Sequence, residues 1–457
     1  MNSKIKFSVM RIRKLIFRSV LVCATACLTT AGCNEDKGNA DNPYDKPHNP
    51  NNAIEVKSIS PVSGGIGAKI VVTGSNFGND KSKVQLFFNE KKSLIMNIQD
   101  NAIYALVPIQ PGDFSTIKVV VDGKEAVLEG MQFQYFIRTA VTTVSGQVGV
   151  SVSLDGPALQ ATYTRPVMMA ASDDGLVFVA DDSGHKIRLL STKDNVVTTV
   201  IDEMSSPWQI ALTPDQNKLY IVERERSGRP ILFYALSRNT NWMQREIYYD
   251  QKDAQGNFIA GDMPYAGLTC DENYVYMICQ GGARLIRVHQ ETRKVEVIGQ
   301  NFSMGDWNYL TWNRKDRKLY CASEEQARLY RFDPYHVPPG RTAPWLTYDD
   351  VEHIAGMSPG SVIEGNKLSI RTGLILGLAS DNDGNVYLSD DGNSVIWKID
   401  QELNGTVIAG RPGVRGYKDG DPKEAEFNRP YCVSATSDGL LYVADMQNRV
   451  IRCIAIQ

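Results

Sequence analysis

RPYCVSATSDGLLYVADMQNRVIRCI, residues Arg429–Ile454, has the pattern of three short strands joined by two tight turns. The first turn is Ser437-Asp438-Gly439 and the second spans Asp445–Asn448. A stretch far upstream, RPVMMAASDDGLVFVADDSGHKIRLL at Arg165–Leu190, repeats this pattern with its Asp-Gly turn and its Ala-Asp ending in register. Self-similarity over such a length predicts a repeat fold whose other copies lie between the two stretches.

Further copies of the strand–turn–strand unit lie at Trp208–Glu223, Tyr265–Cys279, Tyr309–Ser323 and Ile375–Asp390. A third and a fourth strand are predicted after each unit, and a spacing of about 40–65 residues is typical of β-propeller blades. In the unit that begins at Tyr309, the fourth strand is predicted at Ala343–Tyr348. The last unit ends at Gln457 before a fourth strand, and Thr139–Ser145 is predicted to supply it, which closes a six-bladed ring.

The two outer copies carry a family resemblance. Gly410–Ile454 resembles an NHL repeat, with Asp419-Gly420 in the inter-blade loop and Arg452 near the end, and Gly146–Leu190 shares this layout. The resemblance covers Thr139–Gln457, although its middle four blades are degenerate. It implies an NHL-like propeller and leaves the function open, because related propellers bind proteins, RNA or sugars, or act as enzymes.

Residues 54–137 form a separate predicted β domain of short strands broken by Gly, Pro and Asn. Ile59-Ser60-Pro61, the VTGSNFG turn at Val72–Gly78 and Phe133–Tyr135 resemble an IPT/TIG immunoglobulin-like domain, which implies a rigid spacer. The turn needs positive φ angles and a buried Phe77. The predicted fold class is therefore all-β: an immunoglobulin-like (IPT/TIG) β-sandwich followed by a six-bladed NHL-like β-propeller at residues 138–457.

Residues 1–33 have the pattern of a processed leader, with a basic start and an apolar stretch at Ser19–Ala31 that is too short to span a membrane. Its end, Thr30-Ala31-Gly32-Cys33, resembles a bacterial lipobox, with Thr30 where leucine is usual, and implies lipidation of Cys33. Residues 34–53 are polar and rich in Asn and Pro, which predicts a flexible tether. Glu35-Asp36 resembles the export signal of surface lipoproteins in glycan-uptake systems, so we expect a lipid anchor in the outer membrane, at the cell surface.

Charge and cysteine content exclude several classes of protein. The net charge of −3 and pI of about 6.0 provide no basic field for nucleic acid. Beyond the leader, an odd number of cysteines falls inside predicted strands, which favours buried free thiols over a disulfide framework. These cysteines are Cys270, Cys279, Cys321, Cys432 and Cys453.

The predicted binding face lies where the chain enters the first strand and leaves the second strand of each blade. The candidate ligand-binding residues at this channel face are Trp208, Tyr265, Trp307, Tyr309, Tyr431, Arg165, Arg371, Arg429, Glu223 and Asp390. Aromatic rings beside hydrogen-bonding groups suit sugars, which present both C–H faces and hydroxyls. The opposing interpretation is that the rings pack between blades and that the aspartates cap their own turns.

No catalytic residue is predicted. The propeller histidines, His185, His289, His336 and His353, do not stand at a first-strand start, so their spacing gives no zinc cluster. Carboxylates with Asn308 could imitate the site of a calcium-dependent lactonase, so one structural calcium is the only cofactor left open. Asp381–Gly384 is explained by turn chemistry, and neither a nucleophile elbow nor a phosphate loop is found.

The sequence thus predicts a non-catalytic surface lipoprotein that binds an oligo- or polysaccharide on its propeller and passes it to an outer-membrane transporter complex. We expect it to contact the membrane only through its lipid anchor. The first alternative is a propeller enzyme, either a metal-dependent lactonase or a polysaccharide lyase. The second alternative is a protein–protein interaction scaffold.

Overall fold

The computed structural model describes residues 45–65, 68–108, 114–135, 139–224, 231–261, 265–279, 284–302, 305 and 308–455. Cys33, the leader and residues 34–44 of the predicted tether lie outside the described residues. Within the described ranges, no helix is long and apolar enough to cross a membrane. The described helical segments are 3-10 turns at Lys81–Lys83, Arg238–Thr240, Tyr348–Asp350 and Lys367–Ser369.

The N-terminal domain is an immunoglobulin-like sandwich. One sheet has the strand order Glu55–Ser60, Lys69–Ser75, Ala102–Leu106, Leu94–Gln99, and the other Lys124–Val127, Ile117–Val121, Val84–Phe88, Lys91–Lys92. A small third sheet contains Ser63–Gly64, Phe133–Tyr135 and Phe114–Ser115. Alternate residues of these strands point inward and form one apolar core, as expected for sheets with one solvated face.

The turn of this domain has the predicted geometry. Asn76 and Gly78 have φ angles of 64° and 81°, and Phe77 between them is 0% exposed. Asn76 stabilises the turn through its side chain, which donates to the carbonyl oxygens of Asn49 and Asn52, each at 2.9 Å. Asn49 and Asn52, at the end of the predicted flexible tether, are therefore bound to the sandwich.

The propeller has six antiparallel sheets of four main strands each. Blade 1 contains Pro166–Ala171, Leu176–Asp181, Lys186–Ser191 and Val196–Ile201. Blade 2 contains Pro207–Leu212, Lys218–Glu223, Ile231–Ser237 and Glu246–Tyr249. Blade 3 contains Tyr265–Cys270, Tyr274–Cys279, Arg284–His289 and Val295–Gln300. Blade 4 contains Asn308–Asn313, Lys318–Ser323, Arg328–Phe332 and Glu352–Ala355. Blade 5 contains Ile375–Ser380, Val386–Asp390, Val395–Ile399 and Asn404–Ala409. Blade 6 contains Pro430–Ala435, Leu440–Asp445, Val450–Ala455 and Ala140–Gly146. Short strands at Gly156–Pro157 and Gly365–Asn366 extend blades 1 and 5.

The ring closes as predicted. Ala140–Gly146 pairs antiparallel with Val450–Ala455, so the two ends of the propeller segment share blade 6. Each first strand packs against the first strand of the next blade, and that of blade 6 packs against that of blade 1. The first strands are almost continuously buried, as in Pro166–Ala171, because neighbouring blades cover both faces of every sheet.

One predicted strand is wrong. The fourth strand of blade 4 is Glu352–Ala355 and not Ala343–Tyr348. Leu346 instead forms a parallel bridge with Gly299 of blade 3, and the chain then turns at Tyr348–Asp350 before it enters the sheet. The cause is the long connection in this blade, where a buried leucine resembles a strand residue although it packs on the neighbouring blade.

The propeller has two distinct ends. The entry face is the end at which the chain enters each first strand and leaves each second strand. The turn face is the opposite end, with the turns between first and second strands, such as those at Gly175 and Gly439, whose φ angles are 87° and 81°. These two positions require glycine because side chains rarely tolerate such angles.

Candidate functional site

Three aromatic rings from alternate blades meet at the entry face. Trp208, Tyr309 and Tyr431 are each the second residue of a first strand, in blades 2, 4 and 6. The rings of Trp208 and Tyr431 lie edge to face with centroids 5.7 Å apart, and the hydroxyls of Tyr309 and Tyr431 interact. Because one blade separates each pair, these contacts reach across the channel, and we call the three residues the ring cluster.

The ring cluster is buried. Trp208, Tyr309 and Tyr431 are 1%, 0% and 5% exposed, and the guanidinium of Arg224 lies 4.9 Å from the Trp208 ring. Burial raises the pKa of Tyr431 to about 12. In this arrangement the rings form the floor of the entry face, and they do not offer a free surface on which a sugar could stack.

Arginines of the entry face are held by carboxylates. Arg429 makes a two-point contact with Asp391, at 2.9 and 3.1 Å, while Arg415 approaches the same carboxylate to 4.0 Å. Arg165 contacts Asp182 at 2.9 Å. The side chains of Arg165, Arg429 and Arg415 are 35%, 38% and 51% exposed, so their remaining N–H groups are available to a ligand.

Glu324 joins the ring cluster to these charges. The Tyr309 hydroxyl donates to Glu324 Oε2 at 3.1 Å. Burial raises the pKa of the half-buried Glu324 carboxyl, the negative charge of Asp391 acts in the same direction, and the Tyr309 hydrogen bond opposes both. A carboxyl of raised pKa beside tyrosines and an arginine can accept or donate a proton, which is a common feature of functional sites.

The structure places the other predicted residues in different surroundings. Tyr265 is buried and donates to the carbonyl of Ala260 at 2.6 Å, while Glu223 accepts from the backbone of Ser205 and from the Tyr234 hydroxyl. Arg371 is exposed on the segment that precedes blade 5. Trp307 lies outside the described residues.

Asp390 is committed to its own blade. It is 0% exposed, and burial raises the pKa of its carboxyl. It accepts from the backbone of Gly373, the backbone and side chain of Asn393, and the indole N–H of Trp397. The structure therefore does not bring Asp390 into the ring cluster, and its contacts are those of a turn cap.

The structure offers no preformed metal centre within the described residues: no group of three or more His, Cys, Asp or Glu side chains could hold an ion. The five propeller cysteines are free thiols. Burial raises the pKa of Cys432 and of Cys453 to about 12, which makes them poor nucleophiles.

Gln209 bridges three first strands behind the ring cluster. Its side chain accepts from the backbone N–H of Leu268 at 2.7 Å and donates to the carbonyl of Leu310 at 2.9 Å, which links blades 2, 3 and 4. Sequence reasoning missed this residue. The signal was a single amide in the otherwise apolar strand PWQIAL at Pro207–Leu212.

A cavity of about 170 Å³ occupies the turn-face end of the channel. Its walls come from the later residues of all six first strands, and its edge comes from the turns that follow them. The ring cluster and this cavity are thus at opposite ends of one channel, with Gln209 between them. The prediction concerned only the entry face, because strand starts and turn glycines are visible in a sequence while a void is not.

Residues 55–135 match the IPT/TIG domain family. Among curated proteins, SUPPRESSOR OF QUENCHING 1 of the Arabidopsis thaliana chloroplast is 39% identical over 79 residues, which are 17% of this chain and 8% of that protein. The chain therefore spans less than a tenth of the length of this relative.

Solved structures resemble the chain over most of its length. A Bacteroides thetaiotaomicron protein of unknown function aligns with a TM-score of 0.64 at 26% identity, covering 90% of this chain and 100% of that one. An auxiliary nutrient binding protein from Bacteroides ovatus aligns with a TM-score of 0.59 at 20% identity, covering 90% and 99%. The fold of this chain over 90% of its length is thus shared with these proteins of Bacteroides.

Proposed function

We propose that this chain is a non-catalytic surface lipoprotein that binds an oligo- or polysaccharide at the entry face of its propeller. In this proposal it serves a nutrient-uptake system of the outer membrane, and a lipid on Cys33 anchors it to that membrane. The auxiliary nutrient binding protein of B. ovatus, which has the same fold, supports nutrient binding. The lipobox-like end of the leader supports the location.

The observation that carries the proposal is the surface above the ring cluster. Arg165 and Arg429 are held in place by carboxylates and Arg415 lies 4.0 Å from one, yet each keeps about a third to a half of its side chain exposed. Such fixed guanidinium groups donate several hydrogen bonds to sugar hydroxyls without a large loss of side-chain entropy. The buried rings below give them a rigid base, so we assign direct contact to the arginines and support to the rings.

The test is calorimetric titration of the protein with plant, host and microbial polysaccharides, with and without EDTA. Arg429→Gln should lower the affinity for a bound glycan about 10-fold, because it removes charge-assisted donors. The control is Arg293→Gln, which breaks a comparable contact at 3.2 Å between the turn before the outer strand of blade 3 and Glu246 on the outer strand of blade 2. Failure of every glycan to bind, or equal losses in the two variants, would overturn the proposal.

Glu324 supports the enzyme alternative through one observation. Its raised pKa, its hydrogen bond from Tyr309 and the nearby Arg429 are what a lyase requires of an acid or base. Analysis of the titrated glycan distinguishes the two functions. A binder leaves the chain length unchanged, whereas a lyase shortens it in the wild type and not in Glu324→Gln.

A further inference from the structure

The turn-face cavity has not been assigned a ligand. It is reached past exposed turn residues, including Asp173, Arg314, Asn382 and Ser437, and Gln209 bridges Leu268 and Leu310 at its inner end. A ligand that enters from the turn face therefore meets the side chain of Gln209 before the ring cluster.

The inner wall of this cavity is neutral. It combines half-buried apolar side chains such as Ala211, Leu212 and Ala379 with hydroxyl groups, and its charged lining residues belong to the rim turns. At the rim, Asp173 accepts from the backbone of Ser437 at 2.8 Å, and so its charge is partly compensated. An ionised ligand would lose its water without gaining a partner inside, so the wall favours an uncharged molecule.

The same wall has hydrogen-bond donors without acceptors. Thr269 and Ser434 use their oxygens to accept from the backbone of Trp312 and Ala171, at 3.1 and 2.9 Å. Neither hydroxyl hydrogen has an acceptor within the described residues. A ligand with several acceptor oxygens would satisfy such groups.

The size of the cavity limits the ligand to a single ring. About 170 Å³ is below the roughly 300–1,000 Å³ of pockets for drug-sized molecules. We propose that the turn-face cavity binds one neutral, hydroxyl-rich ring, either a free monosaccharide or the terminal residue of a glycan. The half-buried apolar side chains of the wall contact the C–H face of the ring, while the hydroxyls bind its oxygens. This site is separate from the entry face and does not depend on glycan binding there.

The experiment is ligand-observed NMR and calorimetry on the full-length protein with neutral monosaccharides, their methyl glycosides and myo-inositol. We expect dissociation constants on the order of millimolar for at least one ring, as befits a small ligand. Linear and cyclic oligomers of the same sugar then show whether the cavity binds a free monosaccharide or the terminal residue of a glycan. A terminal-residue site binds the linear oligomer and excludes the cyclic one, whereas a free-sugar site excludes both.

Two variants place the binding in the cavity. Ala435→Phe fills the lining at a half-buried position and should weaken binding at least about 10-fold. Thr311→Val keeps the shape, removes one lining hydroxyl and should weaken binding about 3- to 10-fold. The matched control, Thr198→Val on the outer strand of blade 1, should bind like the wild type.

Absence of binding by every ring at about 50 mM would overturn the proposal, since even millimolar affinity would be detected there. Unchanged binding in a folded Ala435→Phe and in Thr311→Val would also overturn it. A polysaccharide that still binds Ala435→Phe while monosaccharides do not would support both sites. If Arg429→Gln loses polysaccharide binding but still binds monosaccharides, the loss concerns only the entry face.

Discussion

Arg452 donates to Asp445 across 2.8 Å, and neither side chain has any exposed surface. The same guanidinium contacts Asp419 at 2.6 Å and the carbonyl of Lys418 at 2.7 Å, both in the loop that enters blade 6. One buried cation therefore ties the third strand of the blade to its second strand and to the inter-blade loop. Arg188 makes the corresponding contacts in blade 1, which explains why these residues recur in the repeat.

Replacement of Arg452 should strongly destabilise the propeller. Arg452→Met leaves Asp445 buried without its cation, so we expect the free energy of unfolding to fall by about 3–5 kcal/mol. The measurement is urea unfolding followed by tryptophan fluorescence, which reports on the propeller because all six tryptophans lie there. Arg411→Met is the control: Arg411 contacts Glu426 at 2.9 Å but is 45% exposed, so the loss should stay below about 1 kcal/mol. Similar losses in both variants would contradict this account of the buried network.

The stability of the propeller should depend on the protonation of Asp445. Burial raises the pKa of this carboxyl to about 6, although Arg452 and Asn448 act in the opposite direction. A carboxyl whose folded pKa is raised stabilises the fold below its ordinary value of 3.8, and that contribution is lost as the pH rises to about 6. The wild type should therefore lose stability relative to Asp445→Asn across this range, as measured by urea unfolding. A difference that stays constant with pH would show that Asp445 does not titrate in this way.

The sandwich should depend on the left-handed backbone of Asn76. Asn76→Ala keeps the φ of 64° but loses the hydrogen bonds to Asn49 and Asn52, and so should cost about 2–4 kcal/mol. Asn76→Gly loses the same bonds without the backbone strain and should cost about 1 kcal/mol less. Native-state hydrogen exchange of Glu55–Ser60 measures both losses. Equal exchange in the two variants would mean that the φ angle contributes little.

The architecture was predictable because it is repeated in the sequence. Each hairpin joins two short apolar strands through an Asp-Gly or similar turn, and the missing last strand of blade 6 could be assigned to Thr139–Ser145 by counting. The error at Ala343–Tyr348 arose where the repeat is most degenerate. There, Leu346 satisfies the apolar pattern of a strand by packing on a neighbouring blade, which a local pattern does not reveal.

The candidate site was predictable only in part. Position in the repeat assigns Trp208, Tyr309 and Tyr431 to one end of the propeller, but periodicity does not tell whether a ring faces solvent or another ring. Asp390 illustrates the same limit. Its four hydrogen-bond donors come from Gly373, Asn393 and Trp397, and only the folded structure shows that these residues surround it. The turn-face cavity depends on how six strands approach one axis, and no single strand encodes that distance.

Gln209 should stabilise the ring by joining three blades. Gln209→Leu keeps the side-chain volume but leaves the Leu268 N–H and the Leu310 carbonyl buried without partners, which should cost about 2–4 kcal/mol in urea unfolding. Gln251→Leu is the matched control, because Gln251 also bridges two backbone groups, Arg293 and Val295, but is exposed. Water replaces the hydrogen bonds of Gln251, so the free energy of unfolding of Gln251→Leu should fall by less than about 1 kcal/mol. If both variants were equally stable, the amide would not be what holds the first strands of blades 2, 3 and 4 in register around the channel.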